Sequence, residues 1–195
     1  MNEQKIDKTR RNLVVATCVA GGAAGVGAAV PLVGSMWPSE RAKAAGAPVE
    51  ADISRLKPGD LGIYEWRGKP VWVLRRTKEM LDSLNSVADK ISDPNSEVPL
   101  QPSYAKNATR SIKPEFAVLV GICSHLGCSP TAKTEPKGDL GPEWLGGFYC
   151  PCHGSKFDLA GRVFKGAPAP VNLEVPPHTY LSDGTILIGL DKQGA

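Results

Sequence analysis

The longest apolar stretch of the chain lies close to its N-terminus. It runs for 24 residues, from Leu13 to Met36, without a charged side chain, and Trp37 follows it directly. A run of this length is sufficient to cross a bilayer as a helix, and tryptophan is typical of the membrane interface. Pro31 and several glycines lie within it, as is common in membrane helices that pack against neighbours. We therefore expect residues 13–37 to form a transmembrane anchor.

The twelve residues before this run are polar and set the expected orientation. They carry two acidic side chains and four basic ones, Lys5, Lys8, Arg10 and Arg11. Such a positive flank favours the cytoplasmic side of a membrane. Thr9-Arg10-Arg11 resembles a twin-arginine export signal, the bacterial route for proteins that fold before they cross. The alternative is that the two arginines only set topology.

A removable leader is another alternative for the same region. Ala45-Gly46-Ala47 has the pattern of a signal-peptidase site. It lies well beyond the end of the apolar run, Pro48 follows it immediately, and the run is longer than a typical leader core, so retention as an anchor is favoured. Between anchor and head the chain is small and polar without an apolar face, which predicts a flexible hinge linker over residues 38–50.

Beyond residue 50 the apolar positions fall into short groups with the spacing of β-strands. Arg67 to Pro70 is a turn between two of them, so residues 61–76 are expected to form a hairpin. Two later strands each lead directly into a cysteine. The predicted strands are Asp52–Leu56, Gly62–Trp66, Val71–Leu74, Glu115–Ile122, Trp144–Tyr149, Val171–Val175 and Thr185–Leu190. The fold class is therefore mainly β, with residues 51–195 as the head.

Helical periodicity is present once within the head. Thr77 is suited to cap a helix that runs to about Ile91, whose apolar stripe is most simply core packing. Residues 95–113 are polar and rich in proline, which predicts a long surface excursion, and residues 129–141 are expected to be a loop. The 195 residues carry a formal charge of only +3, which gives no indication of nucleic-acid binding and suits partners that are proteins and a membrane.

Two short boxes concentrate the chemistry of the chain. They are Cys123-Ser124-His125-Leu126-Gly127-Cys128 and Cys150-Pro151-Cys152-His153-Gly154-Ser155. Together they hold four of the five cysteines and two of the three histidines, a clustering that argues for a site. Each box places a Cys and a His close enough for a tight loop to turn both onto one metal centre, which gives a set of two Cys and two His.

Cysteines and histidines in such boxes could form a structural zinc site, a cluster of disulfides or an iron-sulfur centre. A structural zinc site is disfavoured because zinc modules usually pair Cys with Cys and His with His, whereas each pair here mixes the two. A purely structural cluster of disulfides is disfavoured on the same spacings. The best fit is a [2Fe-2S] centre with two thiolates on one iron and two imidazoles on the other, which is the Rieske arrangement.

The two boxes resemble the cluster-binding loops of Rieske proteins, and their two extra cysteines resemble the high-potential bc1 type. This resemblance implies a Rieske-type antiparallel β head with a smaller cluster-binding subdomain at about residues 115–172. It also implies a disulfide between Cys128 and Cys152. The run W-R-G-K-P-V-W-V-L-R-R-T, residues 66–77, is similar to the corresponding part of the quinol-oxidising family, and residues 166–170 are similar to its proline loop.

The same resemblance implies the roles of the site residues. The implied ligands of one [2Fe-2S] cluster are Cys123, His125, Cys150 and His153. His153, with His125 beside it, would face quinol, and Leu126 would present an apolar surface to the quinol pocket. Ser155 matches a serine that donates a hydrogen bond to a bridging sulfide. Phe157 stands where many relatives have a Tyr whose hydroxyl reaches a ligand sulfur, so a lower reduction potential is expected.

The implied function is that of the iron-sulfur subunit of a quinol:cytochrome c oxidoreductase. Such a subunit accepts an electron, coupled to a proton, from quinol and passes it to cytochrome c1, in a complex with cytochrome b that is expected to be dimeric. The expected location is a bacterial inner membrane, with one span, a cytoplasmic N-terminus and a periplasmic head. The Cys128–Cys152 pair is consistent with that oxidising compartment.

Two rival functions remain open at this stage. One is a soluble or peripheral Rieske electron carrier of another periplasmic oxidoreductase. The other is a terminal oxygenase component, which is disfavoured because a mononuclear iron site needs further ligands and only His178 is left among the histidines. His178 lies outside any ligand spacing and is expected at the surface or in a loop. Cys18, within the apolar run, is expected to be a small packing residue.

Overall fold

The structure, a computed structural model, describes residues 7–191. It divides into two compact units, with the boundary between Ala44 and Ala45. Residues 1–6, which include Lys5, lie outside the described residues, so the expected segment 1–12 is described only from Asp7 onward.

One long helix, α1 (Lys8–Ser35), dominates the first unit. The Asp7 carboxylate caps its first turn by accepting the backbone N–H groups of Thr9 and Arg10 at 2.9 and 3.2 Å. The helix continues through Pro31 and is long and apolar enough to cross a membrane. A second, short helix, α2 (Glu40–Ala45), lies within the predicted linker.

Nine strands frame the described part of the second unit, in three antiparallel sheets of three strands each. The strands are β1 (Val49–Asp52), β2 (Leu61–Trp66), β3 (Lys69–Arg75), β4 (Phe116–Val120), β5 (Thr131–Lys133), β6 (Gly147–Tyr149), β7 (Lys156–Phe157), β8 (His178–Ser182) and β9 (Thr185–Ile188). The sheet orders are β1-β9-β8, β2-β3-β4 and β5-β6-β7. The expected mainly β, antiparallel class is confirmed.

The sheet β2-β3-β4 separates two hydrophobic cores. All five side chains of β4 are buried, as its continuous apolar run indicated. On one side Val71 and Val73 pack with Ile186 and Ile188 in a core that includes strands β1 and β9. On the other side Trp72 belongs to a larger core that contains Cys123 and Cys150, the leading cysteines of both boxes. The site is therefore built directly on the second core.

The first strand of the head begins earlier than its predicted range Asp52–Leu56. It covers Val49–Asp52 and pairs antiparallel with β9, from Val49 opposite Ile188 to Asp52 opposite Thr185. The strand ends at Asp52 because its carboxylate accepts hydrogen bonds from the N–H and the hydroxyl of Ser54, at 2.9 and 2.6 Å, which fold the chain into a turn.

The helix of the head is shorter than predicted. Thr77 does cap it, since its hydroxyl oxygen accepts the N–H of Met80 at 3.3 Å. The α-helix, α3 (Lys78–Ser86), then stops, and a 3-10 turn, Ala88–Lys90, precedes Ile91. Ile91 is buried and forms an isolated bridge with Phe164, so the chain leaves the helix in order to reach that partner.

Three further expectations are wrong in detail. Residues 95–113 are not simply a surface excursion, because Ser96, Ala105, Arg110 and Ser111 are buried. The predicted loop 129–141 contains β5. The predicted strand Val171–Val175 does not pair with another strand in a regular hydrogen-bond ladder. Its N–H groups instead bond to carbonyls of separate loops: that of Leu173 donates to Gly161, and that of Val175 donates to Leu100.

His178 is neither at the surface nor in a loop. It opens β8 and is 1 % exposed. Its Nδ1 lies 2.8 Å from the Pro176 carbonyl oxygen, and its ring meets the Tyr104 ring edge-on at a centroid distance of 5.6 Å. A histidine can be buried in this way because its apolar ring packs on aromatic neighbours while one nitrogen finds a backbone acceptor.

Candidate metal centre

Strand β4 delivers the first box through a glycine that permits very close packing. A Cβ on Gly121 would lie 2.3 Å from Cε2 of Trp72, closer than real Cβ atoms approach. The Trp72 ring occupies that space and stacks on Phe148 of β6, with centroids 4.8 Å apart and planes 20° apart. Since β6 leads into the second box, this stack joins the starting points of both boxes.

The two boxes fold with the same hydrogen-bond pattern. In the first, the N–H of Cys123 donates to the Cys128 carbonyl at 2.7 Å, and the Cys123 carbonyl accepts the N–H of Gly127 at 3.0 Å. In the second, the N–H of Cys150 donates to the Ser155 carbonyl at 2.8 Å, and the Cys150 carbonyl accepts the Gly154 N–H at 2.9 Å. Each box is therefore a closed loop that holds its leading cysteine at the base.

A disulfide joins the two loops. It connects Cys128 and Cys152, which are 24 residues apart in sequence, and the expected pairing is confirmed. The sulfur atoms of Cys128, Cys150 and Cys152 all lie within 4.8 Å of one another. Because the disulfide uses the sulfurs of Cys128 and Cys152, neither is a thiolate donor. Cys123 and Cys150 remain free, and each is only 2 % exposed.

The two histidines of the boxes meet at the outer end of the loops. Their ring centroids are 4.7 Å apart and the planes are nearly perpendicular, at 89°. His125 is half-buried and its Nδ1 is buried without a hydrogen-bond partner among residues 7–191, whereas His153 is exposed. A buried nitrogen without a hydrogen-bond partner is costly unless it binds something else. Metal coordination at this nitrogen satisfies that requirement.

The donor set fits a [2Fe-2S] cluster of the Rieske type. Both loops contribute one buried free thiol and one imidazole, which is the set that such a cluster needs. Burial raises the pKa of the Cys150 thiol, and the neighbouring Cys123 acts in the same direction. Iron binding would remove these protons, because the thiolate is the ligand form of cysteine.

Two serines connect the boxes to the proline-rich segment that follows β7. The buried Ser155 hydroxyl oxygen accepts the N–H of Ala169 at 3.0 Å, within residues 166–170. Ser124 donates its hydroxyl to the carbonyl of Val171 at 2.6 Å. Each box is thus tied once to this segment, whose prolines restrict its backbone. Because Ser155 accepts in this bond, its own hydroxyl hydrogen is available to donate to another group.

Leu126 and Phe157 lie at opposite extremes of exposure. Leu126, at the tip of the first box, is 71 % exposed, a large apolar side chain presented to solvent beside the histidines. Phe157 is 0 % exposed and belongs to the core below the boxes. One residue therefore offers a contact surface and the other only packing.

A group of buried charges that was not predicted from the sequence lies in and around the turn that follows β7. Asp158 and Arg162 form an ion pair at 2.7 Å, with side chains that are 2 and 3 % exposed. Arg76 and Arg110 are equally buried, and burial lowers the pKa of each to about 10. The sequence indicates only the Asp158–Arg162 pair, through its four-residue spacing. Arg76 and Arg110 come from distant segments, so their burial beside this pair has no local sequence pattern.

The fold and the paired Cys-His loops define a Rieske [2Fe-2S] protein. The family model described as "Rieske [2Fe-2S] domain" matches residues 102–177. A second model, described as "Ubiquitinol-cytochrome C reductase Fe-S subunit TAT signal", matches residues 1–39. The cofactor of this protein is therefore the expected [2Fe-2S] cluster.

Full-length relatives narrow this class. The ubiquinol-cytochrome c reductase iron-sulfur subunit of Allochromatium vinosum is 60 % identical over 100 % of this chain and 95 % of its own length. The corresponding subunit of Bradyrhizobium diazoefficiens is 40 % identical over 93 % of this chain and 94 % of its own. A chain of a solved structure described as "Hyperthermophilic respiratory Complex III" is 28 % identical, covering 89 % of this chain and 98 % of that one, with a TM-score of 0.46. This chain belongs to the family of ubiquinol-cytochrome c reductase iron-sulfur subunits.

Proposed function

We propose that this chain carries one electron, coupled to a proton, from quinol to cytochrome c1 as the iron-sulfur subunit of a bacterial quinol:cytochrome c oxidoreductase. The observation that carries the proposal is the pair of closed loops, each with one buried thiol and one imidazole, joined by the Cys128–Cys152 disulfide. The full-length similarity to subunits of that name supports the same function.

The four ligands divide by exposure. Cys123 and Cys150 hold the inner side of the centre from the core, and His125 and His153 hold the outer side. When bound, the [2Fe-2S] cluster supplies a one-electron acceptor whose potential is high because two neutral imidazoles replace two thiolates. Of the two histidines, His153 is the more exposed, so its ring nitrogen that does not bind iron accepts the hydrogen bond and then the proton of quinol.

Neighbouring side chains shape the surface that quinol meets. Leu126 extends into solvent beside the two imidazoles and provides an apolar contact for the quinone ring and its substituents. Ser155 is buried, and its oxygen accepts the N–H of Ala169, so its hydroxyl hydrogen would be available to donate to a sulfur of the bound cluster. Leu126 is thus assigned to quinol binding, and Ser155 to adjusting the reduction potential of the cluster.

The proposal extends to the organisation of the chain at the membrane. In this organisation residues 1–12 are the cytoplasmic segment, 13–37 the anchor in the inner membrane, 38–50 the hinge linker and 51–195 the periplasmic head, except that strand β1 of the head already begins at Val49. The positive flank of α1 supports this orientation, and the Cys128–Cys152 disulfide is typical of an oxidising compartment. The partners of the subunit are cytochrome b and cytochrome c1, in a dimeric complex.

The test is to purify the full chain from membranes and record its electron paramagnetic resonance spectrum. The expected result is a Rieske signal that is lost in His153→Ala and kept in His178→Gln, a control at a histidine remote in sequence from both boxes. A His153→Ala variant with an unchanged spectrum would rule out the ligand assignment. Co-purification of cytochromes b and c1 is expected, and a molybdenum oxidase in their place would instead favour a carrier of another periplasmic oxidoreductase.

A further inference from the structure

Three arginines of the head are buried almost completely and converge on one short turn. Arg76, Arg110 and Arg162 are 2, 0 and 2 % exposed. The turn, residues 158–162, begins directly after β7 and thus five residues after His153. Buried arginines are rare unless they are paired or bind a ligand, so their convergence here needs a physical reason.

The arginines hold the turn mainly through its backbone carbonyl groups. Arg76 Nη1 donates to the Leu159 carbonyl at 3.2 Å, and Arg110 Nη1 donates to the Ala160 carbonyl at 3.1 Å. Arg162 Nε donates to the Asp158 carboxylate at 2.7 Å, and the other oxygen of that carboxylate accepts the N–H groups of residues 160 and 162. Three guanidinium groups from three segments therefore fix one turn.

The network carries more positive than negative charge. Asp158 is the buried carboxylate within it, and the half-buried Asp93 also acts on Arg110 through space. The other acceptors of Arg76 and Arg110 are neutral: backbone carbonyls, the Ser111 hydroxyl and the Gln101 amide oxygen. Since both guanidinium groups remain protonated at neutral pH, they place uncompensated positive charge inside the head.

Strand pairing brings the turn that these arginines hold close to the second box. Phe157 of β7 pairs with Phe148 of β6, and Cys150 follows Phe148 by two residues. Three residues along an antiparallel pair and one step across it correspond to roughly 11 Å between the Cα atoms of Asp158 and Cys150. Arg76 and Arg110 bond the next two carbonyls of this turn, those of Leu159 and Ala160. A unit charge at about 11 Å, with an effective dielectric constant of about 20, changes a one-electron equilibrium about tenfold.

We propose that Arg76 and Arg110 raise the reduction potential of the cluster by holding positive charge behind the second cluster-binding loop, while Arg162, paired with Asp158, fixes the turn to which they bond. The inference rests on the proposed function, because it requires Cys150 and His153 to bind the cluster. Reduction adds one negative charge to the cluster, and a fixed positive charge in a low-dielectric interior favours the reduced form. The arginines are positioning residues with an electrostatic effect, and they do not touch quinol.

The experiment is a redox titration of the full chain in its membrane complex, followed by the resonance signal of the cluster. Arg110→Met removes the charge and keeps most of the volume, and it should lower the ratio of reduced to oxidised cluster about tenfold at a fixed potential, which is about 59 mV for a one-electron couple. Arg110→Lys keeps the charge and should stay close to the native potential. Arg55→Met, an exposed arginine, is the matched control and should change nothing.

Asp158→Asn provides a second test with the opposite sign. It removes the negative charge at nearly constant shape and should raise the potential, whereas purely structural damage to the turn would not reverse direction. The inference is overturned if Arg110→Lys lowers the potential as much as Arg110→Met, or if Asp158→Asn does not raise it. Absence of a Rieske signal in the native protein would instead overturn the proposed function.

Discussion

Phe157 is the residue below the second box at which this chain is expected to differ from many relatives. It is fully buried, pairs with Phe148 across β6 and β7, and forms an isolated bridge with Val163. Its ring fills the core under the second box but offers no hydrogen-bond donor. This position can therefore supply packing below the second box but no hydrogen bond to a ligand sulfur.

Phe157→Tyr is expected to raise the reduction potential. A hydroxyl that donates to a ligand sulfur stabilises the reduced, more negative cluster. Because the site is fully buried, the same hydroxyl would cost about 1–3 kcal/mol of stability if it found no acceptor. Voltammetry measures the first effect, with Phe116→Tyr, in the other core, as the control that should leave the potential unchanged. An unchanged potential in Phe157→Tyr itself would contradict the prediction.

At the scale of elements, the packing of β3, β4 and β6 aligns the two boxes. Trp72 of β3 fills the space beside Gly121, directly after β4, and its other contact is the stacked Phe148 of β6. The two loops are thus joined by aromatic packing at their starting points and by the disulfide between Cys128 and Cys152. A substitution that displaces the Trp72 or Phe148 ring should therefore change the positions of both boxes.

Gly121→Ala is expected to destabilise the head by about 1–3 kcal/mol, because the new methyl group overlaps the buried Trp72 ring. The backbone of Gly121 does not have a positive φ, so the cost comes from the contact alone. Chemical denaturation of the head measures it. Gly138→Ala, whose nearest neighbour is the Glu135 carbonyl oxygen at 4.0 Å, is the control and should be close to neutral. Equal stability of both variants would exclude this packing role.

Local sequence patterns predicted the elements whose signals are local. The apolar run of β4, the cap at Thr77 and the Cys-His boxes all depend on neighbouring residues, and each lies close to its expected position. The burial of Arg110 and His178 could not be predicted in this way, since their partners lie far away in sequence. Arg110 bonds Ala160 and His178 packs on Tyr104, and both contacts form only in the folded chain.

At the scale of the whole molecule, His178 links folding to pH. Burial lowers its pKa below the ordinary value of 6.5, while the Pro176 carbonyl and the charge of Asp191 oppose the shift. The unfolded chain therefore takes up this proton before the folded chain does. Stability that is present above pH 6.5 is lost as the pH falls from about 6.5 towards the folded pKa.

The free energy of unfolding of the native protein should therefore decrease between about pH 6.5 and the folded pKa, by about 1.4 kcal/mol for each unit that separates the two values. In His178→Gln, which keeps a donor for Pro176, this part of the pH dependence should disappear. Denaturant titrations at a series of pH values measure both curves. Parallel curves for the two proteins would show that another group is responsible.

The pairing of β1 with β9 has a mechanical consequence for a tethered head. The chain enters the head through β1, and its four residues are held along β9, which lies at the other end of the same domain sequence. A pull on the tether is therefore borne first by this ladder and by the core of Val71, Val118 and Ile186. The boxes emerge from the other sheets, so a pull applied at β1 loads the ladder with β9 before it reaches the two cysteine-histidine loops.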